Sequence, residues 1–262
     1  MHDPFLLGVA FIFGICFGSF LNVLIYRLPL DKSLIKPSSH CPNCNTPIKF
    51  YDNIPILSYF ILGAKCRHCK TPISIRYPLV EALAGALVVL AFFHFGFTIS
   101  GFETALLSLL FIPIFFIDIE HYIIPDQLDL PWILAGLAFS IFHGALVGWL
   151  DSLIGIAVGG GVFFIVMWLG EKVFKKEAMG FGDVKFAAML GAFIGWKGML
   201  LTLVLASFIG SVIGVTLILI SRKREKSTYV PFGPFLVIAA LTTIYFGAEI
   251  ISGYLRLVGI RP

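Results

Sequence analysis

The sequence predicts an all-α polytopic membrane protein of about eight transmembrane helices, carrying one small cytoplasmic insertion. Three observations lead there. The chain is 58% hydrophobic and only 13% charged, with 27 phenylalanines in 262 residues. A soluble domain carries roughly 25% charged residues, so the composition suits lipid better than water. The apolar residues fall in long runs, and the basic residues gather between alternate runs.

A helix needs roughly 20 apolar residues to cross the hydrocarbon core. Eight runs qualify as candidates: 4–26, 79–97, 102–118, 130–150, 152–171, 184–196, 198–220 and 231–250. The N-terminal M-H-D-P has no basic segment, and the first run lacks a small-residue cleavage site, so that run reads as a permanent span. The sixth run is short, and it meets the seventh at Gly195-Trp196-Lys197-Gly198, where a turn is expected. Gly159-Gly160-Gly161 inside the fifth run predicts a close helix contact. Asn22, in the first, is expected to hydrogen-bond across helices, and Cys16 to serve packing. No convincing internal repeat or low-complexity tract stands out.

Eight spans put three basic loops on one side. They carry Arg27, Lys32, Lys36, Lys49, Lys65, Arg67, Lys70 and Arg76; then Lys172, Lys175, Lys176 and Lys185; then Arg222, Lys223, Arg224 and Lys226. Only Lys197, Arg256 and Arg261 fall opposite, so sixteen of nineteen basic residues mark the cytoplasmic side. The organisation expected is a first transmembrane helix over 1–26, a cytoplasmic insertion over 27–78 and a membrane domain over 79–262. The run 222–226 reads as a topology anchor that can contact anionic lipid. Nothing indicates nucleic-acid binding.

The stretch A-M-G-F-G-D-V-K, residues 178–185, places Asp183 just ahead of an almost wholly apolar segment. Twelve helical steps from Asp183 to Gly195 cover about 18 Å, less than the roughly 30 Å core. Asp183 therefore lies at depth, or water comes down to it. An ionisable group there marks a functional site by default. Gly180 and Gly182 fit this, because glycine permits unusual dihedrals and close approach of another chain. The plainer reading makes Asp183 the N-cap of a helix starting near Val184.

A second acid follows from topology. In F-F-I-D-I-E-H-Y-I-I-P-D, residues 115–126, Asp118 closes the third span on the cytoplasmic side, at a depth similar to that of Asp183. Glu120, Asp126 and Asp129 lie further out. If α-helix continues past Asp118, His121 and Tyr122 share its face. Two adjacent carboxylates cannot both ionise cheaply, so such a pair holds one proton between them. One acid then serves as general base on a water and the other as general acid. That is aspartyl proteolysis. Intramembrane acids beside a short broken helix also serve ion-coupled transporters, which is the competing class.

Cys41-Pro42-Asn43-Cys44 and Cys66-Arg67-His68-Cys69 form two C-x-x-C pairs in the insertion. Four thiolates converging from two turns suit a closed, structural, tetrahedral Zn²⁺ site. A redox dithiol is the alternative. A polar insertion of this size has little core of its own, so a metal would contribute directly to its folding. His40 and His68 read as surface residues. Arg76 and Glu81 sit where the insertion re-enters the membrane, either binding an amino-acid-like ligand or anchoring the helix.

The ordered set of motifs resembles the type IV prepilin peptidases, membrane aspartyl proteases of the GxGD class. It comprises G-x-G-D at 180–183, D-x-x-x-x-x-x-P-D at 118–126, G-S-F-L-N-V-L-I-Y-R-L-P at 18–29, the double C-x-x-C, and R-Y-P-L-V-E at 76–81. The resemblance implies Asp118 and Asp183 as the catalytic pair, with Asp126 outside it. It implies a bacterial inner-membrane enzyme that cleaves prepilins or pseudopilins at the cytoplasmic face. The substrate would carry a short basic leader followed by a hydrophobic helix. Family members with the cysteine insertion also methylate the new N-terminus with S-adenosylmethionine, which would make Arg76 and Glu81 candidate cofactor contacts. A non-pilin intramembrane protease with the same pair is the nearest variant of this reading.

Overall fold

The computed structural model describes residues 3–175, 179–220 and 230–259. Lys176, the basic run 222–226 and Arg261 lie outside the described residues. The described chain is helical: α1 Pro4–Arg27, α2 Leu57–Ile61, α3 Arg76–Phe95, α4 Ile99–His121, α5 Leu130–Phe139, α6 Trp149–Phe174, α7 Phe181–Ile220 and α8 Gly233–Leu257, with three short 3-10 turns between them. It divides into two compact units, Met1–Phe116 and Ile117–Pro262, so the boundary falls within α4.

In the first unit, Asp3 caps α1 by accepting the Phe5 amide at 2.9 Å, and Pro4 supplies the first helical position. Arg27 ends the helix. Its buried guanidinium donates to the carbonyls of Ser33 at 2.8 Å and Pro37 at 2.7 Å, which folds the start of the insertion back. Helices α1 and α3 run antiparallel in backbone contact. A Cβ on Gly14 would lie 2.7 Å from the Gly85 Cα, and one on Gly18 would lie 2.6 Å from the Glu81 Cα. Asn22 makes the interhelical bond expected of it, donating to the Tyr77 carbonyl at 3.1 Å. Cys16 is exposed, so it does not pack against this chain as expected.

The second unit is a set of alternating helices. Among the described residues, six helices are long and apolar enough to cross a membrane, against eight expected. Two local causes account for the difference. The expected span 130–150 yields only the ten-residue α5, about 15 Å long. Its chain then turns through Ser140, which bonds back to the Leu137 carbonyl, and through Gly144 at φ 93°. The expected spans 184–196 and 198–220 are joined as α7, a 40-residue helix broken at Gly195, where φ is 68° and ψ 176°.

The break reverses the chain. Gly159 of α6 meets the Ala187 carbonyl, before the break, and lines a groove with Met199 and Leu203, after it. The two halves of α7 are therefore antiparallel, as the turn expected at 195–198 requires. The start of α6 holds the break: Trp196 Nε1 donates to Asp151 at 3.0 Å, and Ser152 Oγ donates to the Ala192 carbonyl at 2.7 Å. Small residues allow α6 and the first half of α7 to touch. A Cβ on Gly155 would lie 2.1 Å from the Gly191 carbonyl oxygen, and one on Gly159 would lie 2.2 Å from that of Ala187.

The glycine triplet is thus not uniform, since a Cβ on Gly161 would meet nothing within 4 Å. Gly159→Val should lower the thermal unfolding midpoint of the detergent-purified protein, by an overpacking cost of about 1–3 kcal/mol. Gly161→Ala should leave the midpoint unchanged or raise it. Equal behaviour of the two variants would contradict this packing.

Candidate active site and cysteine centre

Asp118 and Asp183 both belong to the second unit, and the fold brings them to the same end of it. Asp118 lies in the last turn of α4 and is 5% exposed. Its Oδ2 accepts the Gly233 amide at 3.0 Å, at the first residue of α8. Asp183 lies in the first turn of α7 and is 8% exposed. A carboxylate there is favoured by the unpaired amides of the helix start. Because α7 begins at Phe181, Asp183 sits inside the helix and not at its N-cap position. The Asp118 charge is within electrostatic reach of Asp183.

One side chain connects the two sites. Ile124, buried in the loop after α4, packs on Gly182, whose Cβ would lie 3.3 Å from the Ile124 Cβ. The same isoleucine approaches Gly233, whose Cβ would lie 3.4 Å from its Cδ1. At Gly233 any side chain is excluded, because a Cβ would stand 2.5 Å from Asp118 Oδ2. The order Asp183, Gly182, Ile124, Gly233, Asp118 is therefore one continuous packed arc.

Of the two uses expected of Gly180 and Gly182, close approach of another segment is met at Gly182 and unusual dihedrals at neither. Neither has a positive φ. Gly182 provides room for Ile124, while a Cβ on Gly180 would stand in ordinary contact with Asp183 Oδ2, at 3.8 Å. Tyr122 does not continue the Asp118 face. It takes φ 58° and ends α4, its amide donating to the Asp118 carbonyl at 2.9 Å. Sequence reasoning missed Gly233 and Ile124. The visible signal for Gly233 was Pro231-Phe232-Gly233-Pro234, a glycine between prolines at the head of a span.

In the first unit, Cys41, Cys44, Cys66 and Cys69 cluster with all four sulfurs within 4.8 Å of one another. The Cys41 and Cys69 sulfurs are 3.7 Å apart. Tetrahedral thiolates at about 2.3 Å from a metal are separated by about this edge length, so the donor set fits a metal ion. Each pair is built on the same turn. The Cys41 amide donates to the Thr46 carbonyl at 3.0 Å, and the Cys66 amide to that of Thr71 at 2.9 Å. Asn45 and Lys70, the residues after each second cysteine, take φ 53° and 59°. Isolated bridges pair His40 with Pro47 and Lys65 with Pro72.

The two turns are a sequence repeat, C-x-x-C-x-T-P-I at 41–48 and 66–73, so the expectation of no internal repeat is corrected. The Thr46 side chain and amide hold the Cys44 thiol below its usual range, and those of Thr71 hold Cys69 at about 5. Both shifts are toward the thiolate, the form that binds a metal. Arg67 forks onto Asp52, with Nη2 at 2.6 Å from Oδ1 and Nε at 2.8 Å from Oδ2. That pair ties the second turn to the segment between the two.

Glu81 is buried on α3 beneath the insertion. Its Oε2 accepts the Ile56 amide at 2.6 Å. Ile56 takes φ 62° and ψ −53°, and the Leu57 amide reaches the Pro55 carbonyl at 2.6 Å. This is a γ-turn of the strained hand on a β-branched residue. Nearby on the same α1–α3 interface, Asn22 Oδ1 is buried without a hydrogen-bond partner. Arg76 begins α3 with its guanidinium 5.8 Å from the centre of the Tyr77 ring.

Comparison with known proteins agrees with this architecture. Residues 12–95 match the bacterial peptidase A24 N-terminal domain, and residues 105–215 match the type IV leader peptidase family. A Myxococcus xanthus protein named prepilin leader peptidase/N-methyltransferase is 43% identical over 86% of this chain and 67% of its own length. Proteins of the same name from Stutzerimonas stutzeri and Pseudomonas aeruginosa are 38% and 36% identical, over 94% and 95% of this chain and 93% of theirs. No solved structure matches the chain. With two family models in register along its length and relatives matched nearly end to end, the chain belongs to the type IV leader peptidase family.

Proposed function

We propose that this protein is a multi-pass inner-membrane endopeptidase that removes the leader peptide of prepilins and prepilin-like proteins, and that it N-methylates the residue exposed by the cut. The observation that carries the proteolytic reading is the convergence of Asp118 and Asp183 on one arc of packed residues. Membership of the leader peptidase family favours hydrolysis over ion-coupled transport.

The chemistry follows from two carboxylates holding one proton. A water between them loses its proton to the ionised acid and attacks the scissile carbonyl carbon. The protonated acid donates to the carbonyl oxygen and, as the tetrahedral intermediate collapses, the leaving amine takes up the other proton. The Gly233 amide engages Asp118 Oδ2 and so fixes the rotation of that carboxylate. The basic residues between alternate spans support a cytoplasmic orientation for this end. A substrate with a basic leader would remain on that side while its hydrophobic helix lies in the membrane.

The four cysteines would hold Zn²⁺, which would close the fold of the insertion 27–78 and supply no open coordination position for chemistry. The methyl donor would be S-adenosylmethionine, whose chemistry when bound is an electrophilic methyl group for a neutral amine. Glu81 and the unpartnered Asn22 Oδ1 are acceptors suited to its ammonium group, and Arg76 is a donor suited to its carboxylate.

Three measurements test these assignments. Asp118→Asn and Asp183→Asn should each abolish cleavage of a model prepilin in detergent while the protein still reaches the membrane; cleavage by either variant removes the pair from the mechanism. Cys41→Ser/Cys44→Ser should lose bound zinc in elemental analysis and lose methylation more than cleavage, and full methylation would contradict that. Glu81→Gln should reduce methylation, read by intact mass, on the order of tenfold or more, the loss expected from one charge-assisted hydrogen bond. Wild-type methylation in that variant would leave Glu81 only its γ-turn.

A further inference from the structure

The start of α7 contains an unexplained charge. Lys185 lies in the first turns of a helix, where a cation is disfavoured by the positive end of the helix dipole. It is also largely buried, with 16% of its side chain exposed. Two carboxylates compensate for both costs. Lys185 Nζ pairs with Asp126 and lies 3.9 Å from Asp129 Oδ2, and the Phe181 ring centre is 5.7 Å away. Asp129 is fully buried, and neither of its carboxylate oxygens has a hydrogen-bond partner. The Lys185 ammonium is thus its compensating charge. Burial pushes the Asp129 carboxyl up to about 6, and the charge of Lys185 acts against that shift.

The position of this trio matters. Lys185 is two residues beyond Asp183, and Asp126 is two residues beyond Ile124. The loop from Ile124 to Asp129 is therefore fastened to α7 immediately beside the residue that packs between Gly182 and Gly233. We propose that Lys185 is a positioning residue for hydrolysis: by clamping Asp126 and Asp129 it keeps Ile124 wedged in the arc, and so fixes the separation of Asp118 and Asp183. The inference rests on the catalytic pair proposed above. Lys185 itself does not touch the reacting atoms.

The test is a charge-rescue series on the full-length protein in detergent, using a model prepilin. Lys185→Met leaves Asp129 buried and uncompensated and lets the loop move. It should lower kcat on the order of 100-fold, the loss expected of a displacement of about 1 Å, with KM little changed. Lys185→Arg should keep most of kcat. Lys185→Met/Asp129→Asn, which removes the buried charge along with its partner, should recover much of the loss.

A Lys185→Met enzyme with wild-type kcat overturns the inference. So does a double variant whose loss is the product of the losses of Lys185→Met and Asp129→Asn, each measured alone. A fall in kcat accompanied by loss of the thermal transition in all three variants would assign Lys185 to overall folding and equally overturn it. Asp118→Asn serves as the control in the same assay. Should Asp118→Asn cleave, the catalytic pair itself fails; should it be inactive while the Lys185 variants behave as wild type, only the clamp fails.

Discussion

The second unit depends on backbone approach at glycine. Asp118 can accept the Gly233 amide only because residue 233 has no side chain to occupy the space of its carboxylate. Ile124 can sit on the start of α7 only because residue 182 gives it room. Between these two contacts two acids are kept near one another and mostly away from water, an arrangement that would otherwise relax by separation. The cost of burying them is set against a helix start at Asp183 and a backbone amide at Asp118, which are fixed dipoles requiring no counter-ion.

Short helices serve the same end. Helix α5 and the first half of α7 begin beside Lys185 and run in the same direction, with Gly136 of α5 against Ala192 of α7. Each is shorter than a membrane span; the first half of α7 is backed by the longer α6, and α5 packs on that same half. Irregular or short elements at membrane depth are sustained where they are buried in protein. In the first unit, a different solution supports a polar segment. There a metal-ready cysteine cluster, an Arg67–Asp52 fork and a γ-turn pinned by buried Glu81 substitute for a hydrophobic core.

Much of this was legible in the sequence, for identifiable reasons. The acids stood out because charge is rare in apolar runs, and alternation of spans put them on one side. The cysteines stood out by spacing. The repeat C-x-x-C-x-T-P-I was equally visible, yet only the twin turns show that the Thr-Pro-Ile portion belongs to it. Gly233 was only half legible: the Pro231-Phe232-Gly233-Pro234 run marks an unusual helix start, but its partner Asp118 is 115 residues away and cannot be read from it. The clamp was not legible: Lys185 reads as one more basic residue of a cytoplasmic loop until Asp129 is found buried beside it. The length of α5 was misread because apolar composition continues through Phe142, whereas the backbone turns at Ser140 and Gly144. Hydropathy reports the solvent a segment prefers and says little about where its helix stops.

The account as a whole requires the side chains of residues 118 and 183 to face each other across a gap that one water can fill. Replacing both acids with cysteine, in a chain whose Cys16 is alanine, tests this in native membranes. Mild oxidation or a short bifunctional thiol reagent should join the peptides that contain positions 118 and 183, as read by mass spectrometry. If each cysteine reacts singly with a small maleimide but no joined species forms, the two positions are not neighbours and the shared site does not exist.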